Sequence, residues 1–162
     1  DRAIISRYAR ISDEGTIVSG NALVSSHAHI HSGAVVTDEA ILGGNFHAMH
    51  GALIRGNATI MGDCFVGKGA DIRNFRDVLV VDNLPVPGFS KLIMYRAPGE
   101  PGGHVITDNY WYGNIDNFMA EVDRQREEIW PRWIHPTKIS DTHREYEIVK
   151  QLFEVRAGLW NN

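Results

Sequence analysis

A single cysteine, Cys64, leaves this chain without the means for an internal disulfide framework. Basic clusters are missing too. With a formal net charge of −4 and no Lys/Arg run, the electrostatic footprint of a nucleic-acid binder is absent. No apolar stretch approaches the ~18 residues that span a bilayer, and the N-terminus lacks a charged-then-apolar signal pattern. Neither a membrane partner nor secretion by a signal peptide is therefore expected. No glycine loop opens onto a helix either: Pro98–Gly103 is glycine-rich, but no helix follows it, as a phosphate cradle requires. What remains is a chain of 162 residues with 43% hydrophobic content, which suits one or two small globular domains.

The first half is a repeat. A small residue, a spacer and an aliphatic residue recur every six positions in Ala22/Val24, Ala28/Ile30, Ala34/Val36, Ala40/Leu42, Ala52/Ile54, Ala58/Ile60, Cys64/Val66 and Ala70/Ile72. The rung at Phe46/Ala48 exchanges large for small. Upstream, Ala3/Ile5, Ala9/Ile11 and Gly15/Ile17 continue the pattern with a one-residue shift placed near Ser19. Two residues apart on an extended strand point to the same face, so both members of each pair face inward. Gly20-Asn21, Ser32-Gly33, Gly56-Asn57, Gly62-Asp63 and Lys68-Gly69 supply left-handed corner positions. Three strands and three corners close a triangular coil of 18 residues, and twelve rungs make four coils. The reading is a parallel β-helix in which Cys64 is a small buried apolar residue.

Gly20-Asn21-Ala22, Gly56-Asn57-Ala58 and Gly62-Asp63-Cys64 resemble the hexapeptide repeat of left-handed β-helix proteins. The resemblance covers about residues 3 to 73. It implies a left-handed coil and a homotrimer. Activity is left open, because acyltransferases, γ-class carbonic anhydrases and non-enzymatic proteins share the fold.

After Arg73 the composition changes, dividing the chain into a β-helix over 1–74 and a small α+β module over 75–162. Strands are expected at Asp77–Asp82, Lys91–Tyr95 and His104–Thr107, with a further segment at Tyr110–Tyr112. The period then becomes 3.6. Ile115, Phe118, Met119, Val122 and Ile129 share a helix face, with Asn114 as N-cap and Pro131 as stop. A last helix is expected from near Thr142, whose spacing to Glu145 fits a capping box. It should bury Tyr146, Val149, Leu152 and Phe153 and stop at Gly158. The aromatic loop Trp130–Pro136 is expected to dock on the β-helix, which offers the area that a small module lacks. The runs Asp77–Val81, Tyr112–Val122 and Glu145-Tyr146 resemble a module recurrent in phage and prophage proteins, where it follows hexapeptide-type repeats. That resemblance implies a phage-type accessory protein in a host cytoplasm or a virion. Tyr110-Trp111-Tyr112 stands where the family has a small or cysteine-bearing strand.

Residues 18 apart stack on adjacent coils, ~4.8 Å from one another. One face carries Leu23, Ile41 and Thr59 above Ile4; a second carries His29, His47 and Phe65 above Arg10; the third carries Val35, Leu53 and Asp71 above Thr16. Exposed aliphatic columns mark an association surface, so Leu23, Ile41, Val35 and Leu53 are the expected trimer interface.

The histidines are the place for chemistry if the chain has any, the favoured reading being an exposed His ladder on a polar face. His29 and His47 stack as candidate metal ligands or general bases, with His27, His31, Met49 and His50 near the same edge. His50 is a further catalytic candidate. Ligand-binding candidates are Trp111 and Tyr112, whose rings offer a stacking platform, with Trp133 and Arg10. Three functions follow. The first is a non-enzymatic homotrimeric accessory protein with no cofactor, its β-helix a stem and its C-terminal module binding a phage or host protein or a small ligand. The second is a hexapeptide-class acyltransferase using acyl-coenzyme A and a His base between subunits, although no long loop interrupts the coils. The third is a metal site at His29 and His47. Carbonic anhydrase spacing, a His pair five apart with another far upstream, is not met, because His47 and His50 are three apart.

Overall fold

A computed structural model describes residues 2–108 and 110–160. Short strands recur through the first half: β1 (Ile4–Ile5), β2 (Arg10–Ile11), β3 (Ile17–Val18), β4 (Leu23–Val24), β5 (His29–Ile30) and β6 (Val35–Val36). They continue as β7 (Ile41–Gly43), β8 (His47–Ala48), β9 (Leu53–Ile54), β10 (Thr59–Met61), β11 (Phe65–Val66) and β12 (Asp71–Ile72). These strands form three parallel four-stranded sheets, ordered β1-β4-β7-β10, β2-β5-β8-β11 and β3-β6-β9-β12. Leu23 pairs with Ile41, His29 with His47 and Val35 with Leu53. The fold is thus a parallel β-solenoid of four coils.

Backbone hydrogen bonds join the coils: the amides of Leu23, His29 and Val35 donate to the carbonyls of Ala40, Phe46 and Ala52, each at 2.8 Å. At the corners a second set closes tight turns, as from the Ala34 amide to the His31 carbonyl at 3.2 Å. Those turns need left-handed residues, and Gly44 shows why one is glycine. Its φ is +73°, and a Cβ there would stand 2.6 Å from the Gly62 backbone nitrogen. The inward residues from Ala22 to Ala58 are fully buried. Phe46 and Ala48 are buried with them, so the exchanged rung conserves interior volume.

The irregularity of the first coil lies elsewhere than expected. Ile17 pairs with Val35 and Val18 with Val36. Ile17, not Thr16, therefore stands beneath Val35, and Val18 takes the inward place assigned to Ile17. The extra residue sits in the corner between β2 and β3 rather than near Ser19. There Asp13 and Gly15 both take positive φ, and the Thr16 amide reaches the Asp13 carbonyl at 3.4 Å.

The chain divides into two compact units, Asp1–Val78 with Tyr95–Glu100, and Leu79–Met94 with Pro101–Asn162. Beyond the solenoid come β13 (Val78–Val81), β14 (Leu92–Arg96), β15 (His104–Thr107) and β16 (Tyr112–Gly113), hydrogen-bonded in that order. Two helices follow, α1 (Ile115–Glu128) and α2 (Ile139–Trp160). Asn114 caps α1 as expected, its side chain accepting from the amides of Asp116 and Asn117. Phe89, Phe118, Val122, Trp130, Tyr146 and Phe153 lie in the core of the second unit. The Tyr146 hydroxyl donates to the Phe89 carbonyl at 2.9 Å.

Helix α2 departs from expectation at both ends. A 3-10 turn, Pro136–Lys138, runs directly into it, so it starts at Ile139 with Thr142 already inside. Gly158 does not stop it; the helix reaches Trp160. Leu152, expected in the core, is 43% exposed because Tyr146, Val149 and Phe153 fill the inward stripe. Trp130 belongs to this unit's own core, 5.5 Å from Tyr146 between ring centroids, where the sequence reading docks the loop on the solenoid. No helix among the described residues is long and apolar enough to cross a membrane.

Candidate functional site

Parallel pairing fixes what each outer wall of the solenoid presents. The first wall carries Ile4, Leu23, Ile41 and Thr59 in register, with Ile4 57% and Ile41 38% exposed and Leu23 half-buried. On the third wall stand Ile17, Val35, Leu53 and Asp71, with Ile17 exposed and Val35 and Leu53 half-buried. That wall ends in a charged knot. The Asp71 carboxylate accepts from Arg55 at 2.9 and 3.0 Å and from Arg73 at 2.6 Å, with Arg96 at 3.4 Å. Partial burial pulls the Asp71 pKa upward, but the hydrogen bonds from Arg73 and Arg55 outweigh it and hold the carboxyl well below its usual range.

The second wall is different. Arg10, His29, His47 and Phe65 are in register, and His31 follows His29 on the outward side. The His29 ring lies 4.3 Å from His31 and 5.6 Å from His47, and His31 lies 6.1 Å from His47, between centroids. One nitrogen from each ring falls within 4.8 Å of the other two. His29 Nε2 is 2.9 Å from Ser12 Oγ, and His31 Nδ1 is 2.9 Å from Ser32 Oγ. Asp13 accepts from the Ser32 amide at 3.0 Å and from its hydroxyl at 3.3 Å, and stands 3.8 Å from His31 Nδ1. Burial, then the charges of His29 and His47, lower the His31 pKa against an opposing pull from Asp13. Burial and His29 lower the His47 pKa likewise, with Asp63 opposing. Both imidazoles are therefore neutral at pH 7, with lone pairs free to bind a proton or a metal ion.

The other candidates disperse. His50 is exposed at a corner and outside the trio, while His27 stacks on Tyr8 at 5.0 Å. Arg10 is exposed on β2. Trp111 packs against Phe89 and Phe118, and no described ring contact joins it to Tyr112 or Trp133, both of which are exposed. His31 was expected only as a neighbour at the same edge, and Ser12 and Asp13 were not expected at the site. The signal for His31 was its spacing of two from His29, which shares an outward face; Ser12 and Asp13 sit in the irregular corner. Cys64 is buried and forms no disulfide.

No protein-family model, curated protein or solved structure matches the chain. Fold and walls define its class: a three-sheet parallel β-solenoid with an appended α+β unit.

Proposed function

We propose that this chain is a non-enzymatic homotrimeric accessory or structural protein, with the solenoid as a rigid stem. One observation carries the reading: two of the three outer walls bear aliphatic columns and the third bears polar rings. A three-walled column packed about a three-fold axis presses two walls against its neighbours and leaves one outside, which is the observed division of chemistry. A two-fold dimer needs only one such wall. The second unit is the partner-binding module in this reading. Its exposed stripe on α2, Ile148, Leu152, Val155 and Leu159, is spaced four, three and four apart and offers a helix-sized apolar contact. Resemblance of its sequence to the phage module supports a virion or host-cell setting.

Acyl transfer between subunits gains less. In a trimer of this kind His29 and His47 stand on the wall that faces away from the neighbours.

Charge on the apolar walls is the test. Ile41→Glu with Leu53→Glu should turn a trimer into a monomer in sedimentation velocity, with the far-UV circular dichroism of the native chain retained. Unchanged mass in the double variant would reject these walls as the interface.

A further inference from the structure

We infer that His29, His31 and His47 bind one divalent transition-metal ion on the outer wall of the second sheet, within a single chain. Geometry is the first support. Tetrahedral nitrogen ligands about 2.0–2.1 Å from an ion stand about 3.4 Å apart, and nitrogens of these three rings already lie within 4.8 Å of one another. Rotation of side chains closes that gap, because all three are half-buried on the surface of the wall and none is locked in the core. Their backbones are fixed: His29 and His47 are directly paired on parallel strands, and His31 ends the same rung. The ordering of the main chain is thus complete before an ion arrives.

The donor set selects the ion. Three imidazole nitrogens with no oxygen or sulfur among them suit zinc, cobalt, nickel or copper, and not the oxygen-seeking calcium or magnesium. A fourth tetrahedral position is left to water.

Outer-shell contacts point the same way. A metal-bound imidazole usually engages its second nitrogen with a hydroxyl, carbonyl or carboxylate, which orients the ring. Ser12 does so for His29, leaving Nδ1 to the ion, and Ser32 does so for His31, leaving Nε2. Asp13 grips Ser32 from behind and brings a negative charge near a site whose ligands carry none. Ser12 and Asp13 both come from the one corner of the first coil that holds an extra residue. The break in the repeat therefore supplies the supporting shell, and Asp13 is a positioning residue rather than a ligand.

The full chain, stripped with chelator and titrated calorimetrically with zinc chloride, should take up one ion per chain and none on titration with magnesium chloride. Cobalt substitution should give the intense visible bands of a tetrahedral centre. His31→Ala and His47→Ala should each abolish that spectrum, and because both side chains point outward the apo melting temperature should stay close to the parent's. Asp13→Asn should weaken zinc binding about 10- to 100-fold, with Asp13→Glu restoring part of it. No heat with zinc and only the pale octahedral cobalt spectrum would overturn the site. So would full zinc uptake by His31→Ala or by His47→Ala. Parent-like affinity in Asp13→Asn, with the site intact, would remove Asp13 from its role.

Discussion

Phe46 and Ala48 hold inward slots that every neighbouring rung fills in the opposite order, yet both are fully buried. The ring occupies space that an aliphatic residue at position 48 would otherwise take. Phe46→Ala should cost about 3–5 kcal/mol in chemical denaturation, since a large cavity is left between stacked coils. The double variant with Ala48→Ile, which restores the ordinary order, should recover most of that loss. At the wall, His31 and His47 have depressed pKa values in the folded chain. Below the ordinary value of 6.5 the unfolded chain takes up protons at these positions before the folded one does. The metal-free protein should therefore be equally stable above that pH and lose stability as pH falls beneath it. Melting temperatures measured from pH 8 to pH 5 read this directly, and His31→Asn should flatten the slope. Alternation made the inward and outward residues legible in the sequence, but only up to the extra residue. A corner tolerates insertion without disturbing the six-residue spacing on either side, so Thr16 and Ile17 were exchangeable until the pairing with Val35 was known.

Among elements, helix α1 was the easiest to read, because its cap and its stripe agree. Asn114 satisfies two amide donors of the first turn. Asn114→Ala should cost about 1 kcal/mol and at most about 2, seen as a shift in denaturation midpoint with unchanged slope. Helix α2 was read with the wrong ends for a physical reason. The Thr142/Glu145 spacing imitates a cap, but the preceding 3-10 turn, with His135 accepting from the Thr137 amide, feeds the chain into the helix three residues earlier. The helix also carries two apolar stripes. Periodicity alone does not tell which one faces the core, so Leu152 was placed inside and the exposed series through Val155 and Leu159 was missed.

At the scale of the molecule, the repeat dictates the architecture, since a six-residue period with paired inward residues has few other ways to close. The candidate site was half legible: His29 and His47 stack by arithmetic, whereas Ser12 reaches His29, and Asp13 reaches Ser32 and His31, from a corner that breaks the arithmetic. In the proposed trimer, two apolar walls and one polar wall would tie assembly to the histidine cluster, because the wall left outside would carry it. Sedimentation equilibrium of the native chain, followed through dilution into the low micromolar range, tests that scheme most directly. A particle of three times the 18.1 kDa chain mass, dissociating to single chains without a stable dimer, is the expected result. A single chain at all concentrations, with Leu23, Ile41, Val35 and Leu53 facing water, would contradict it.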